Sequence, residues 1–133
     1  MNPVFADTSY YVALLSETDQ WHEAAVKQSA QLLGRQVVTE YVVVELGSAL
    51  SSQEHRHLYV PFVEHLLADV GTRFIPASHR LFQRGLVLFR ERQDKNWSLV
   101  DCISFVVMKQ QRLTDALTAD RHFIQAGFRV LLI

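Results

Sequence analysis

Cysteine, glycine and proline are scarce in this sequence of 133 residues, with one Cys, 5 Gly and 3 Pro. The single Cys102 excludes an internal disulfide and any metal site built from cysteine alone. One thiol is what a reducing cytoplasm leads us to expect. So little Gly and Pro beside 49% hydrophobic residues excludes collagen-like, low-complexity and disordered chains. No apolar run approaches the ~20 residues that a membrane-spanning helix needs. The opening stretch MNPVFADTSYYVALL lacks a basic segment before its apolar part, so it is not expected to be a secretion signal. A charge excess is missing too: 13 Lys and Arg stand against 14 Asp and Glu, a formal charge of −1. That argues against a broadly cationic surface gripping nucleic acid nonspecifically, but not against nucleic acid held at one local site through a metal ion. There is no Gly-rich phosphate loop and no G-x-S-x-G. His22, His55, His57, His65, His79 and His122 show no H-E-x-x-H or comparable spacing.

What is present is an alternation of short apolar strands with helical stretches. Strands are expected at 3–6, 36–39, 72–76, 116–118 and 129–133. Helices are expected at 9–15, at 20–33 between an Asp19 cap and a Gly34 stop, and from Thr39 or Glu40 to about 52. Further helices are expected at 55–70 with Pro61 as a late start or kink, from a Ser78 cap to about 93, from Ser98 to about 111, and at 121–125. Alternation at this spacing predicts one α/β domain over residues 1–133, a parallel sheet with helices on both faces. In such sheets ligands bind beyond the carboxyl ends of the strands.

Four acids fall near that edge. Asp7 directly follows the first strand, and Asp120 lies two residues past Thr118 at the end of the fourth. Glu45 sits in the second turn of the helix after strand two, on the border of its apolar face, while Glu40 points away from that face. Asp101 lies in the first turn of SLVDCISFVVMKQQ, a helix apolar nearly all round, where an ionised carboxylate is costly unless paired or bound to a cation. Each acid also has a structural reading. Asp7 suits an Asx turn or helix cap, Glu45 a solvated helix position, Asp101 a capping box with Ser98, and Asp120 a cap on RHFIQ. Taken together, four converging carboxylates repel one another unless a divalent cation joins them. Hard oxygen donors without a cysteine cluster select Mg²⁺ or Mn²⁺ over Zn²⁺. Such an ion neutralises phosphoryl oxygens and supplies a nucleophilic water for phosphodiester hydrolysis.

The stretches VFADTSYYVALL, VVTEYVVVELGSAL, DKNWSLVDCISFVVM and ALTADRHFIQAGFRVLL, in this order, resemble the PIN domain, in particular the VapC type of toxin nuclease from bacterial toxin–antitoxin pairs. The resemblance covers essentially the whole chain; the region 52–95 is generic. It implies a five-stranded parallel sheet of order 3-2-1-4-5 and a Mg²⁺-dependent ribonuclease, with Mn²⁺ an alternative ion. Asp7 and Asp101 are then the direct metal ligands. Glu45 and Asp120 complete the site through waters or hold a second ion. It further implies an RNA substrate, a small cognate antitoxin, a homodimer and a cytoplasmic location. Two alternatives stand beside this: a non-catalytic PIN-like binding or assembly module, and a metal-dependent nuclease acting on DNA.

Ser9 and Thr118 are near enough to hydrogen-bond a carboxylate or a water, and Arg121 is either a phosphate contact or a surface arginine. Thr39 is read as a cap, Trp21 and Trp97 as packing residues. Asp115, at the far end of the fourth strand from Asp120, is left outside the site. Arg80, Arg84, Arg90, Arg92 and Lys95 form either a solvated helix face or an RNA-approach surface beside the acids. Val42, Val43, Val44, Leu58, Tyr59, Val60, Phe62 and Leu66 exceed what one face of each helix buries against a sheet. A second chain is the expected cover for part of them.

Overall fold

The computed structural model describes residues 2–32 and 35–133. The Gly34 stop expected for the second helix lies outside the described residues. Five strands, β1 (Val4–Ala6), β2 (Gln36–Thr39), β3 (Thr72–Ile75), β4 (Asp115–Leu117) and β5 (Arg129–Val130), form one parallel sheet of order β3-β2-β1-β4-β5. Helices α1 (Thr8–Leu15) and α2 (His22–Gln31) connect β1 to β2; α3 (Glu40–Ala49) and α4 (Arg56–Ala68) connect β2 to β3. Helices α5 (His79–Glu91) and α6 (Leu99–Gln110) lead to β4, and α7 (Arg121–Gln125) joins β4 to β5. The chain winds outward from β1 in one direction and from β4 in the other. The reversal of strand order, where a crevice opens at the carboxyl edge, therefore falls between β1 and β4.

The central strands are short and apolar because both faces are covered. Phe5, Ala6, Val37, Val38, Ala116 and Leu117 are fully buried. Phe123 of α7 and Phe105 of α6 meet edge-on at 4.9 Å, and Trp97 meets Phe105 edge-on at 5.0 Å while its indole N–H donates to Gln125. Trp97 is thus the packing residue expected of it. Local caps set the helix starts. Thr39 Oγ1 accepts from the Val42 amide, Ser78 Oγ from the Leu81 amide, and Ser98 with Asp101 forms a reciprocal capping box. Where α5 crosses α6, Gly85 is required by close approach: a β-carbon there would run into Ile103 Cγ1.

Several boundaries differ from the sequence expectation. Asp19 does not cap α2 at residue 20; its carboxylate accepts from the Trp21 amide in a turn, and the helix starts at His22. Helix α4 passes through Pro61 instead of starting late. β5 ends at Val130, although the amides of Leu131 and Leu132 still bond to the carbonyls of Ala116 and Thr118. The apolar excess on α3 and α4 is smaller than expected. Val42, Val43 and Leu66 are buried in this chain's own core, Leu58, Tyr59 and Phe62 are half-buried, and Val44 and Val60 stay exposed.

Candidate active site

Asp7 leaves β1 at the strand reversal, its amide bonded to the carbonyl of Leu117 on β4. It stands at the start of α1, yet its side chain makes no capping bond to that helix. The carboxylate instead accepts from Thr118 Oγ1 at 2.8 Å and from Ser9 Oγ at 3.1 Å. The two hydroxyls lie 2.9 Å apart, and each accepts a backbone amide of the turn after β4, Ser9 from Ala119 and Thr118 from Asp120. Ser9 and Thr118 therefore lock the ends of β1 and β4 together around the Asp7 carboxylate.

The other acids arrive from three further segments. Glu45 is half-buried on α3 and accepts from Thr8 Oγ1. Asp101 is buried in the first turn of α6, where its Oδ2 accepts from the Ser98 amide at 3.1 Å and lies 3.0 Å from His122 Nδ1. Asp120 caps α7 by accepting from the His122 amide, and its Oδ1 lies 3.4 Å from the same imidazole nitrogen. Asp7, Glu45, Asp101 and Asp120 line one cleft of about 600 Å³, with Ser9 and His122 also in its wall. The capping readings of Asp101 and Asp120 hold, and both carboxylates still face the cleft. Arg121 is exposed, and Asp115 pairs loosely with Arg129 at the other end of β4.

Electrostatics mark the cleft as a place where negative charge is crowded. The Asp7 carboxyl is pushed up to about 7, chiefly by burial and then by the charges of Asp101 and Glu45, against the pull of the Thr118 hydroxyl and the Thr8 amide. Asp101 is raised as well, first by burial and then by Asp120, with the Ser98 amide and His122 opposing.

A ligand atom from each of Asp101, Asp120 and His122 lies within 4.8 Å of the other two, a spacing one cation can span. Two carboxylates and an imidazole at that spacing, beside a buried carboxyl that burial and neighbouring charge hold back from ionising, fit a divalent cation. His122 takes part in no histidine-to-histidine spacing that would single it out along the chain. The available signal was its position two residues past Asp120, in the first turn after a strand end. Thr8, which anchors Glu45, and Asn96, in the cleft wall, were also not singled out.

A parallel α/β domain with carboxylates gathered at the strand reversal defines a class of small, acidic-cleft domains. The PIN domain family model matches residues 4–129, and the chain belongs to that family. Its fold is of the VapC type. The toxin VapC20 of Mycobacterium tuberculosis, described as cleaving the sarcin-ricin loop, superposes with a TM-score of 0.86 at 24% identity, over 94% of this chain and 95% of that one. FitAcB of Neisseria gonorrhoeae superposes with a TM-score of 0.72 at 18% identity, over 96% of each chain. FitAB bound to the IR36 DNA fragment gives 0.70 at 17% identity, over 96% of this chain and 92% of that one. No curated protein matches the sequence.

Proposed function

We propose that this protein is a divalent-metal-dependent endoribonuclease and the toxin of a toxin–antitoxin pair. The observation that carries the reading is the convergence of Asp7, Glu45, Asp101 and Asp120 from four separate segments on one cleft, with Asp7 buried among like charges. Crowding of this kind is unfavourable for the fold alone and is relieved by a cation. Asp101 and Asp120, with His122, would hold Mg²⁺ or Mn²⁺, Asp7 would reach the ion through a water, and Glu45 would orient a water from across the cleft. When bound, the ion would supply neutralisation of phosphoryl oxygens and a positioned nucleophilic water. Ser9 and Thr118 fix the direction of the Asp7 carboxylate, and the Ser98 amide fixes that of Asp101.

The toxin role, the small antitoxin, the homodimer and the cytoplasmic site rest on resemblance to the family. No helix among the described residues is long and apolar enough to cross a membrane. The purified protein should cut single-stranded RNA with Mg²⁺ or Mn²⁺ and not with a chelator, and either ion should raise Tm in wild type but not in Asp7→Asn. Sequencing RNA 5′ ends after brief induction in cells should show new ends at a defined site. Cleavage of DNA alone would replace the RNA assignment, and no cleavage of either, without a metal-induced shift, would leave a binding module.

A further inference from the structure

Beyond the acidic cleft, the wall around Asn96 and Trp97 leads to two more hollows. Asn96 lines both the cleft and a hollow of about 240 Å³ that Lys95 and Arg92 also line. Arg92 and Trp97 in turn line a groove of about 410 Å³ between α5, α6 and α7, whose floor is apolar and whose rim carries Arg84 and Lys109. The three spaces thus share walls in series. Four cations, Arg84, Arg92, Lys95 and Lys109, stand along this route against two carboxylates, Glu91 and Asp94. Asp94 is already engaged by Arg92 and Lys95, while Arg84 and Lys109 make no ion pair among the described residues. A chain of net charge −1 has therefore placed a local excess of positive charge next to its acidic cleft.

Arg92 is built as a platform. Two bonds of 3.0 Å to Asp94 hold its guanidinium in one plane, and one face lies over the Trp97 ring at 5.0 Å. Its side chain keeps 40% exposure, so part of the group remains open to a ligand. A fixed guanidinium plane, an apolar floor and flanking cations are the parts with which proteins hold single-stranded nucleic acid, by stacking bases and tracking phosphates.

We infer that the groove between α5, α6 and α7 is a subsite for single-stranded RNA flanking the cut phosphate, with a base stacked on Arg92 and phosphates met by Arg84 and Lys109. The inference rests on the ribonuclease reading and names where its substrate extends. Charge complementarity, and the walls shared with the hollow that adjoins the cleft, select a nucleic acid strand over a second protein chain as the occupant.

The test measures binding of a labelled single-stranded RNA by fluorescence anisotropy to the full chain carrying Asp101→Asn, without divalent ions. Adding Arg84→Ala and Lys109→Ala should weaken binding about 10-fold and lower the log–log salt slope by about 1.4, the value for two phosphate contacts on a single strand. Arg92→Lys keeps the charge and removes the plane; it should weaken binding a few-fold with the slope unchanged. In the chain with Asp101 intact, the Arg84/Lys109 variant should cut a trinucleotide as wild type does and a 20-mer more slowly. Unchanged RNA affinity and slope in the double variant overturn the subsite, and so does a change of molecular mass by light scattering without an RNA effect, which assigns the groove to a protein contact. Failure of the ribonuclease reading shows separately, as absent cleavage of the 20-mer by wild type with Mg²⁺ or Mn²⁺.

Discussion

With its carboxyl pushed up to about 7, Asp7 ionises within the range of ordinary buffers. In the unfolded chain an aspartate titrates near 3.9, so between about pH 4 and 7 the folded state binds more protons than the unfolded one. Stability of the metal-free protein therefore falls as pH rises across that window and levels off above it; Asp101, raised by burial, acts in the same direction. Thermal melts without divalent ions should give a higher Tm at pH 5 than at pH 8. Asp7→Asn should raise Tm at pH 8 and flatten the profile, and a wild-type Tm that climbs from pH 5 to 8 contradicts the assignment. Asp101 carries two roles that separate by mutation. Asp101→Asn should lower cleavage at least ~100-fold, the size of effect seen when one transition-state electrostatic group is lost. Ser98→Ala breaks the cap from the other side and should cost ~1 kcal/mol of stability while cleavage survives. Loss of cleavage in both variants would mean that the cap, not the charge, is what matters. At this scale Asp7, Asp101 and Asp120 are legible because each follows a strand or opens a helix, and Glu45 because it borders an apolar helix face. His122 was not, because its partners come from α6 and from the cap of its own short helix, a meeting in space that spacing along the chain does not reveal.

Helix α5 shows what patterning reveals and what it leaves to tertiary packing. Its Ser78 cap and its length follow from the sequence, but which of its apolar residues lie inward depends on where α6 passes. Leu81 and Gly85 face the interior, while Phe82, Leu86, Val87 and Phe89 remain exposed. The reverse holds on α3 and α4, where Val42, Val43 and Leu66, read as candidates for an intermolecular face, complete the chain's own core. Gly85 sets the α5–α6 separation. Gly85→Ala drives a methyl group against the buried Ile103 and should destabilise by ~1–3 kcal/mol, read from denaturant midpoints. Pairing it with Ile103→Val, which vacates part of that space, should recover some of the loss; no recovery would show that the contact is not the cause.

Taken as a whole, the molecule leaves Val44 of α3 and Val60 and Leu67 of α4 open to solvent, along with the outer face of α5. The homodimer expected of the family would find its apolar surface on α3 and α4, and light scattering at micromolar concentration should give twice the mass of one chain. A single-chain mass across the range removes the dimer, and Val44→Lys with Val60→Lys should produce that result in a dimeric protein, with a cooperative melt retained at a Tm lowered by the loss of association. The sheet order was carried by resemblance; alternation alone gave only the parallel class, since neither register nor neighbour is written in one strand. That order places the first strand beside the fourth, so Thr118 reaches back across 111 residues to Asp7. Time enters here. The amino-terminal end of a chain leaves the ribosome first, so Asp7 and Glu45 are made well before, and Asp101 shortly before, Asp120, His122 and the Thr118 hydroxyl that complete their surroundings. A nascent chain paused short of β4 holds Asp7, Glu45 and Asp101 without Thr118, Asp120 and His122, so the cleft is assembled only once β4 and the start of α7 have been made.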